Sequence, residues 1–537
     1  MYWRSLRKRV RARNILLRAS SELPFAYEVW IARIENSREA VAQAPAVIDG
    51  WKYKPRFGIL LHGGPDDETA VERSLRSLEG QIYPGWALIG HPSEPIGARL
   101  AGADADYILP LRAGDRLATT ALYRLGQALQ AARPSIIYGD EDRLDEKEER
   151  YSPWFKPRWN REYYIAQDLL RSSTAIATSV AKHVDSQQAI ANIADLTVGS
   201  ALQTRDEDIL HIPHVLSHTI LLEPGHEEER RTALAAALMG QRGSVSPGPF
   251  GTTRVTWPLP SPAPMVSLII PTKDKVELLQ PCIETVLART DYQNFEILIV
   301  DNRSVEPATA AFLSRISKDL RIRVLDYPAP YNFSAINNFA VSVANGQYVC
   351  LLNNDTEVIE PAWLSEMMRY AIRPDIGAVG AKLLYDDGTI QHAGVTIGIG
   401  DAAGHAHRFE PNDKPGYFAL PHSAHFVSAV TAACLTVDKR KYEAVGGLDE
   451  DQFTVAFNDV DFCLKLQTAG WKNVYVPHAV LLHHESKSRG SDMAPSQIDR
   501  YRRELSTLQA RWDTRNCQDP LHNPNLDRYS EKYVIRL

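Results

Sequence analysis

Several places in the chain combine acids, amides or imidazoles at spacings that can do chemistry. Asn353 and Asp355 stand one residue apart at the end of the apolar run Val349-Cys-Leu-Leu352, so both can turn oxygens toward one hard cation. Asp301 ends a second apolar run, Phe295-Glu-Ile-Leu-Ile-Val-Asp301, where a carboxylate can accept hydrogen bonds from a base or a ribose. Asn458-Asp459-Val460-Asp461 follows the turn Gly446-Gly-Leu-Asp-Glu450 and offers a metal-free carboxylate able to act as general base on a hydroxyl. His483 and His484 emerge from the run Tyr475-Val-Pro-His-Ala-Val-Leu-Leu-His-His-Glu485, and an imidazole suits Mn²⁺ as a further ligand. Together these groups suit the displacement of a nucleoside diphosphate. Each also has a plainer reading, since Asn-Asn-Asp is good turn chemistry and paired histidines are common on surfaces.

The elements that must position these groups read as a parallel sheet with helical crossovers. Val266-Ser-Leu-Ile-Ile-Pro-Thr272 predicts a first strand, residues 277–289 a helix, and Phe295–Asp301 a second strand ending in an acid. Residues 322–325 predict a third strand, Ser334 is placed to cap a helix through Ala344, and Tyr348–Leu352 is the strand that leads to Asn353. A similar alternation lies upstream, with strands at Phe57-Gly-Ile-Leu-Leu61, Tyr83-Pro-Gly-Trp-Ala-Leu-Ile89 and Tyr107-Ile-Leu-Pro-Leu111 and a helix over 71–78. Ser135-Ile-Ile-Tyr138 then precedes the acidic patch Asp140-Glu-Asp142. The stretch from Gly243 to Pro264, rich in Pro and Gly, has the composition of a linker.

The two halves match in order, which points to a repeat. Phe57-Gly-Ile-Leu-Leu parallels Val266-Ser-Leu-Ile-Ile, Tyr83-Pro-Gly-Trp-Ala-Leu-Ile parallels Tyr292-Gln-Asn-Phe-Glu-Ile-Leu, and Leu111-Arg-Ala-Gly-Asp-Arg-Leu117 parallels Leu352-Asn-Asn-Asp-Thr-Glu-Val358. On that match Arg112 falls opposite Asn353 and Gly114 opposite Asp355. An arginine there could pair with a phosphate but would repel a divalent metal. The first repeat is also shorter between Tyr83 and Gly114 than the second is between Tyr292 and Asp355. It is therefore expected to be catalytically silent, without a donor pocket, and to serve as a packing partner or acceptor surface. The acids Asp140, Glu141 and Asp142 are the main threat to that expectation.

A chain of 537 residues exceeds the size of one core, so two or three domains are expected. A composition 44% hydrophobic and 23% charged speaks against long disorder. With 60 Lys and Arg against 66 Asp and Glu, the net charge of -6 excludes a global attraction for nucleic acid. The first residues, MYWRSLRKRVRARNILLRAS, are the exception: Trp3, Leu6, Val10 and Leu17 form one helical stripe among arginines. Such a helix can lie on an anionic bilayer or dock on its own protein. The cysteines Cys282, Cys350, Cys434, Cys463 and Cys517 form no CxxC pair, which suits free thiols in a reducing compartment. No apolar run reaches membrane-spanning length and the N-terminus lacks a secretory core. These features predict a cytoplasmic protein, open to a peripheral contact with the inner face of the cytoplasmic membrane.

Residues 266–490 resemble glycosyltransferase family 2. The likeness runs through Val266-Ser-Leu-Ile-Ile-Pro-Thr272, Val300-Asp-Asn302, Leu351-Leu-Asn-Asn-Asp-Thr-Glu357, Gln391-His-Ala-Gly394, Ser428-Ala-Val-Thr-Ala-Ala-Cys434, Phe457-Asn-Asp-Val-Asp-Phe-Cys463 and His483-His-Glu-Ser-Lys-Ser-Arg-Gly490. The tail Asp519-Pro-Leu-His-Asn-Pro-Asn-Leu526 belongs to the pattern, which is similar to tandem enzymes of bacterial O-antigen and rhamnan-type polysaccharide assembly. The resemblance implies an α/β chain with two GT-A-like, Rossmann-like domains in tandem, the first shortened and degenerate. The boundaries it suggests are a basic arm (1–50), a degenerate domain (51–245), a linker (246–264), a catalytic domain (265–490) and a C-terminal helical tail (491–537).

By the same resemblance Pro271, Thr272 and Asp274 line the nucleotide loop, Asp301 reads the base, and Asn338 flanks the nucleotide. Asn353 and Asp355 hold the outer positions of the metal motif, Asn353 being a departure that weakens its charge. Asp459 is the implied catalytic base, with Asn458 in place of the usual Glu. The late metal-ligand histidine is His483 or His484, with His483 favoured by its spacing to Ser488. The implied cofactor is Mn²⁺ or Mg²⁺, the donor a dTDP- or UDP-sugar, and the acceptor a lipid-linked glycan attacked in a single inverting displacement. A sugar nucleotidyltransferase would need a glycine-rich triphosphate loop after the first strand, and Thr272-Lys-Asp-Lys275 has none. A non-catalytic glycan-binding scaffold is the other reading, opposed in the second domain by Asp355 and Asp459.

Overall fold

The computed structural model describes residue 19 and residues 23–35, 37–63, 68–220, 226–484 and 497–537. The stripe of Trp3, Leu6, Val10 and Leu17, and the motif residues after His484 including Ser488, lie outside these. The chain divides into two compact units. The first comprises Met1–Pro247, Pro520–Asp527 and Val534–Leu537, the second Gly248–Asp519 and Arg528–Tyr533.

The second unit is built on a ten-stranded sheet. Its main path runs Ile322–Asp326, Phe295–Asp301, Val266–Thr272, Tyr348–Leu352, Cys434–Asp438, Ile376–Leu384, Lys472–His483, Thr356–Val358. The first four strands are mutually parallel, and Tyr348–Leu352 is buried at every position. That burial explains its unbroken apolar sequence, because a strand covered on both faces has no side for polar residues. Polar side chains therefore collect where these strands end, which is where open α/β sheets bind ligands. Helix Phe333–Val343 starts two residues earlier than predicted, and its cap is Asn332, whose side chain accepts from the Ala335 amide at 3.1 Å. Ser334 lies inside the helix and donates instead to the Phe453 carbonyl.

The first unit contains an eight-stranded sheet whose main path runs Trp86–Leu88, Phe57–His62, Tyr107–Arg112, Thr174–Ala177, Ile136–Leu144, Ile209–Thr219, Arg116–Leu117. Strand by strand this repeats the second unit's path from Phe295–Asp301 onward, with the same parallel or antiparallel sense at every step. In the second unit two helices, Pro307–Ile316 and Phe333–Val343, and strand Ile322–Asp326 lie between Phe295–Asp301 and Tyr348–Leu352. A single helix, Ile96–Ala101, fills the interval between Trp86–Leu88 and Tyr107–Arg112. The expected α/β architecture of two Rossmann-like sheets in tandem, the first shortened, is what the chain adopts.

Trp51, Phe57, Tyr83, Tyr107 and Tyr123 form the aromatic part of the first unit's core. Tyr27 and Trp30, on helix Ala26–Trp30, are also buried, with Trp30 packed 4.9 Å from the Phe155 ring. The described cysteines are free thiols. The tail is helical over Ile498–Trp512, and the described residues after it form turns and one isolated bridge between Leu526 and Ile535.

The acids Asp140, Glu141 and Asp142 do not follow a strand but lie within one, Ile136–Leu144, and all are buried. Pleating sends Asp140 and Asp142 to one face and Glu141 to the other. Asp140 meets His211 Nε2 at 2.8 Å and Asn523 Nδ2 at 3.1 Å. Asp142 accepts from Arg150 Nε at 2.5 Å and Tyr27 Oη at 2.5 Å, and meets His218 Nδ1 at 2.6 Å. Glu141 is bridged by Lys156 Nζ at 2.7 Å and by Arg171. Burial alone would raise the Glu141 pKa, but Arg171 and Lys156 outweigh it and hold it at about 2. Buried charges survive only when paired in this way.

Candidate active site

The site is assembled by strand ends of the second unit. Thr272 ends Val266–Thr272, and its Oγ1 accepts from Asn354 Nδ2 at 3.1 Å, tying the first loop to the Asn353–Asp355 turn. Pro271 precedes it, half-buried, paired with Val300, while Thr272 pairs with Asp301 across the parallel register. Asp301 Oδ1 accepts from the Ser304 amide at 3.0 Å, a local turn that fixes the loop beyond the strand. Asp274, in a left-handed conformation, uses Oδ1 to accept from the Val305 and Glu306 amides at 2.7 and 2.8 Å. That oxygen thus clips one loop to the start of helix Pro307–Ile316.

Asp355 is the buried end of the Asn353–Asp355 turn. Strand Thr356–Val358 follows at once and pairs antiparallel with Lys472–His483, which sets Thr356 opposite His483. This register brings His483 Nε2 to 3.2 Å from Asp355 Oδ1 and 3.2 Å from Asn353 Nδ2. On the other side of the ring, Nδ1 meets Gln391 Oε1 at 2.6 Å. A carbonyl oxygen there makes Nδ1 the protonated nitrogen, and an amide donor at Nε2 agrees, so Nε2 carries the lone pair. Orientation of one imidazole nitrogen by a carbonyl while the other faces the ligand position is the usual support of a metal-binding histidine.

These residues fit a divalent cation. Two ligand atoms sharing one cation at roughly 2.1 Å each, at a right angle, lie roughly 3 Å apart, close to the 3.2 Å observed between His483 and Asp355. Among the described residues no group of three His, Cys, Asp or Glu could hold an ion alone. Such a cation would draw its remaining ligands from phosphate oxygens and water, as Mg²⁺ commonly does. His484 points elsewhere: its Nε2 meets Glu357 Oε1 at 2.9 Å and its Nδ1 meets Asp386.

Asp459 lies in the first turn of helix Asn458–Thr468, entered through Phe457 at φ 61°. Its Oδ2 accepts from the Ala432 amide at 3.1 Å, and the neighbouring Ala433 carbonyl accepts from the Asn353 amide at 3.0 Å. Adjacent residues of one loop thus hold both Asp459 and the Asn353–Asp355 turn. Burial raises the Asp459 pKa above the ordinary carboxylate value, only partly countered by the Ala432 and Val460 amides and the Thr431 hydroxyl. A carboxylate shifted this way is a better proton acceptor near neutral pH. Asp461, two residues on, is committed to packing the tail helix, since its Oδ1 accepts from Arg511 Nη1 and Trp512 Nε1, each at 2.8 Å.

Asn338 is joined to the 446–450 turn rather than to the Thr272–Asp355–His483 group. Its Nδ2 donates to Leu448 O and Glu450 Oε2, each at 2.9 Å, and its Oδ1 accepts from Tyr442 at 2.6 Å and the Leu448 amide at 3.0 Å. Gly447 is required beside it, since φ is 63° and a Cβ would lie 2.6 Å from Asn338 Oδ1.

Two further side chains position the site without a role that sequence reasoning assigns them. Gln391 orients His483, as described. Glu504 on helix Ile498–Trp512 accepts from the Val455 and Ala456 amides at 3.1 and 3.0 Å and from Thr454 Oγ1 at 2.6 Å, fixing the loop that leads to Asp459. Gln391 lies within a quoted motif, but nothing in the sequence around Glu504 signals its part in holding that loop.

In the first unit, strand Tyr107–Arg112 runs through Arg112, so the turn before Arg116–Leu117 is Ala113-Gly114-Asp115. The corresponding turn in the second unit is Asn353-Asn354-Asp355. Counted back from the paired strands Arg116–Leu117 and Thr356–Val358, Asp115 rather than Gly114 stands at the Asp355 position, while the parallel register of Phe57 with Tyr107 and of Val266 with Tyr348 keeps Arg112 at the Asn353 position, so the first-unit turn holds one extra residue. A cavity of about 280 Å³ opens here, lined among others by His62, Arg112, Asp115 and Arg171.

Residues 267–436 match the family model described as glycosyl transferase family 2. The chain is 39% identical to the uncharacterized protein y4gI of Sinorhizobium fredii, over 99% of this chain and 64% of that protein. It is 29% identical to the O-antigen biosynthesis protein RfbC of Myxococcus xanthus, over 93% of this chain and 42% of that one. A shorter likeness, 38% over 16% of this chain and 24% of the other, is to the N-acetylglucosaminyl-diphospho-decaprenol L-rhamnosyltransferase of Mycobacterium tuberculosis. This chain thus spans less than two thirds of the length of each of these relatives. The stretch that matches glycosyl transferase family 2 lies within its second unit.

Proposed function

We propose that this chain is an inverting, metal-dependent glycosyltransferase that moves a sugar from a nucleotide sugar to a lipid-linked bacterial surface glycan. The observation that carries the reading is the 3.2 Å approach of His483 Nε2 to Asp355 Oδ1, with Gln391 fixing the ring. Asp459, on the loop shared with Asn353, supplies the base. Asp459 takes the proton from an acceptor hydroxyl as that oxygen bonds to the anomeric carbon from the face opposite the leaving group. The bond from the anomeric carbon to the donor diphosphate breaks, and the diphosphate departs with the electron pair. Held by Asp355 and His483, Mn²⁺ or Mg²⁺ would offset the charge growing on that leaving group. In this reading Pro271, Thr272, Asp301 and Asn353 meet the nucleotide, with Asp274 and Asn338 shaping the loops around it.

We take residues 265–490 as the catalytic domain and 51–245 as silent in transfer. Rhamnose is the sugar suggested by the name of the mycobacterial relative, which also specifies an N-acetylglucosaminyl-diphospho-decaprenol acceptor, and we take a dTDP- or UDP-sugar as the donor. No described helix is long and apolar enough to cross a membrane. Contact with such an acceptor would be peripheral, through the basic residues 1–20, and co-sedimentation with anionic liposomes before and after their deletion tests it. The function itself is tested by a donor screen on the purified protein, reading nucleoside diphosphate release with lipid-linked acceptors. Release that needs both acceptor and Mn²⁺ is the expected result. Absence of turnover with every donor would favour the glycan-binding scaffold.

A further inference from the structure

We propose that the cavity of the first unit is a phosphoryl-binding site that grips its anion directly through Arg112 and Arg171, without a divalent cation. The cavity, about 280 Å³, lies beyond the C-terminal ends of strands Phe57–His62 and Tyr107–Arg112, the ligand-binding edge of an open α/β sheet. Its volume is below the roughly 300–1,000 Å³ of pockets that enclose drug-sized molecules. It has room for a phosphorylated headgroup. Among the described residues that line it there is no Phe, Tyr or Trp, so it offers neither a sugar nor a base an aromatic ring of that kind to stack on. Guanidinium groups are the side chains that best match the oxygens of a phosphoryl group.

Arg171 is fixed before any ligand arrives. Its Nε donates to Glu141 Oε1 at 2.6 Å, its guanidinium lies 4.9 Å from the Trp154 ring, and its side chain is 11% exposed. Its remaining nitrogen, Nη1, has no hydrogen-bond partner among the described residues. Lys156 shares the charge of Glu141, so Arg171 is not neutralised one for one. The first turn of helix Ile193–Gln203, through Ile193 and Ala194, forms another wall, its positive end already met by the Asp195 carboxylate.

The carboxylates around the cavity do not cancel this charge. Asp168 is matched by His226 at 3.3 Å and Arg230 at 3.7 Å. Asp115 accepts from the Ile220 amide at 3.0 Å, and burial raises its pKa to about 7, so near neutrality it carries only part of a full negative charge. Glu229 is exposed. Asp115 retains the position of Asp355, but with Arg112 beside the cavity in place of an oriented histidine the local charge repels a divalent cation. The same strand end that suits a metal in one unit suits an anion in the other.

The test is calorimetric titration of the full chain with inorganic diphosphate in EDTA, which removes any metal-dependent binding at Asp355. Saturable binding is expected, weakened about tenfold or more by Arg112→Gln. A thermal melt of Arg112→Gln shows whether that variant is folded, and the wild-type titration decides the question even if it is not. A nucleoside diphosphate binding about tenfold tighter than inorganic diphosphate would assign the site to a nucleotide. Equal affinities would assign it to the diphosphate of a glycolipid headgroup. No saturable binding in EDTA, binding only with Mn²⁺, or an unchanged affinity in folded Arg112→Gln would overturn the proposal.

Discussion

The turns Ala113-Gly114-Asp115 and Asn353-Asn354-Asp355 join the same two strands in the two units, and each ends in a buried aspartate. What differs is the partner of that aspartate. In the second unit the long antiparallel strand sets His483 opposite Thr356, where Gln391 turns its Nε2 toward Asp355. In the first unit the equivalent strand sets His218 opposite Arg116 in the same fashion, but His218 Nδ1 is taken by Asp142 at 2.6 Å. Asp142 is in turn held by Arg150 and Tyr27. On the proposed reading, a histidine in the right register is not enough for a metal site. It must also be kept from a nearer carboxylate, and Gln391 does this by offering a neutral acceptor to the far nitrogen.

Predictions that break or sharpen this contrast begin with the base. Asp459→Asn is expected to reduce kcat by about 10²–10⁴-fold with donor affinity unchanged, as read by nucleoside diphosphate release and by calorimetry. Near-normal turnover would move the role to Asp461 or Asp449. Because burial raises the Asp459 pKa and the base works only when ionised, activity should fall on acidification at a pH above that of an ordinary carboxylate. A pH–rate profile with its acidic limb at or below the ordinary aspartate value of 3.8 would contradict this.

Smaller effects are expected around the histidine. Gln391→Ala leaves His483 in place but frees its ring, so Mn²⁺ affinity should fall about 10–100-fold with the melting temperature little changed. His484→Ala removes a ring engaged with Glu357 and Asp386 and should change Mn²⁺ dependence by no more than about twofold. A larger loss at His484 than at Gln391 would reverse the assignment of the two histidines.

Much of this is legible in the sequence because the parallel strands are buried on both faces. Such strands must read as unbroken apolar runs, and the acids that end them mark the functional edge. The order of short matches between halves exposes the repeat even where each match is weak. The one-position error at Gly114 arises because a gapless match cannot show the extra residue that the first-unit turn holds between Arg112 and Asp115. The acids Asp140, Glu141 and Asp142 read as the end of a strand because their partners are remote: Arg171, His211 and Asn523 lie 30, 71 and 383 residues away. Gln391 and Glu504 escape a sequence reading for a related reason, since a neutral amide 92 residues from its histidine and a helical glutamate carry no local signature.

The most direct test of the contrast is Mn²⁺-dependent binding of nucleoside diphosphate, measured by calorimetry on Asp355→Ala and Asp115→Ala side by side. Metal-dependent binding confined to the second unit should disappear in Asp355→Ala and persist at wild-type affinity in Asp115→Ala. Loss of the Mn²⁺ dependence in Asp115→Ala with its retention in Asp355→Ala would place the metal in the first unit and contradict the account.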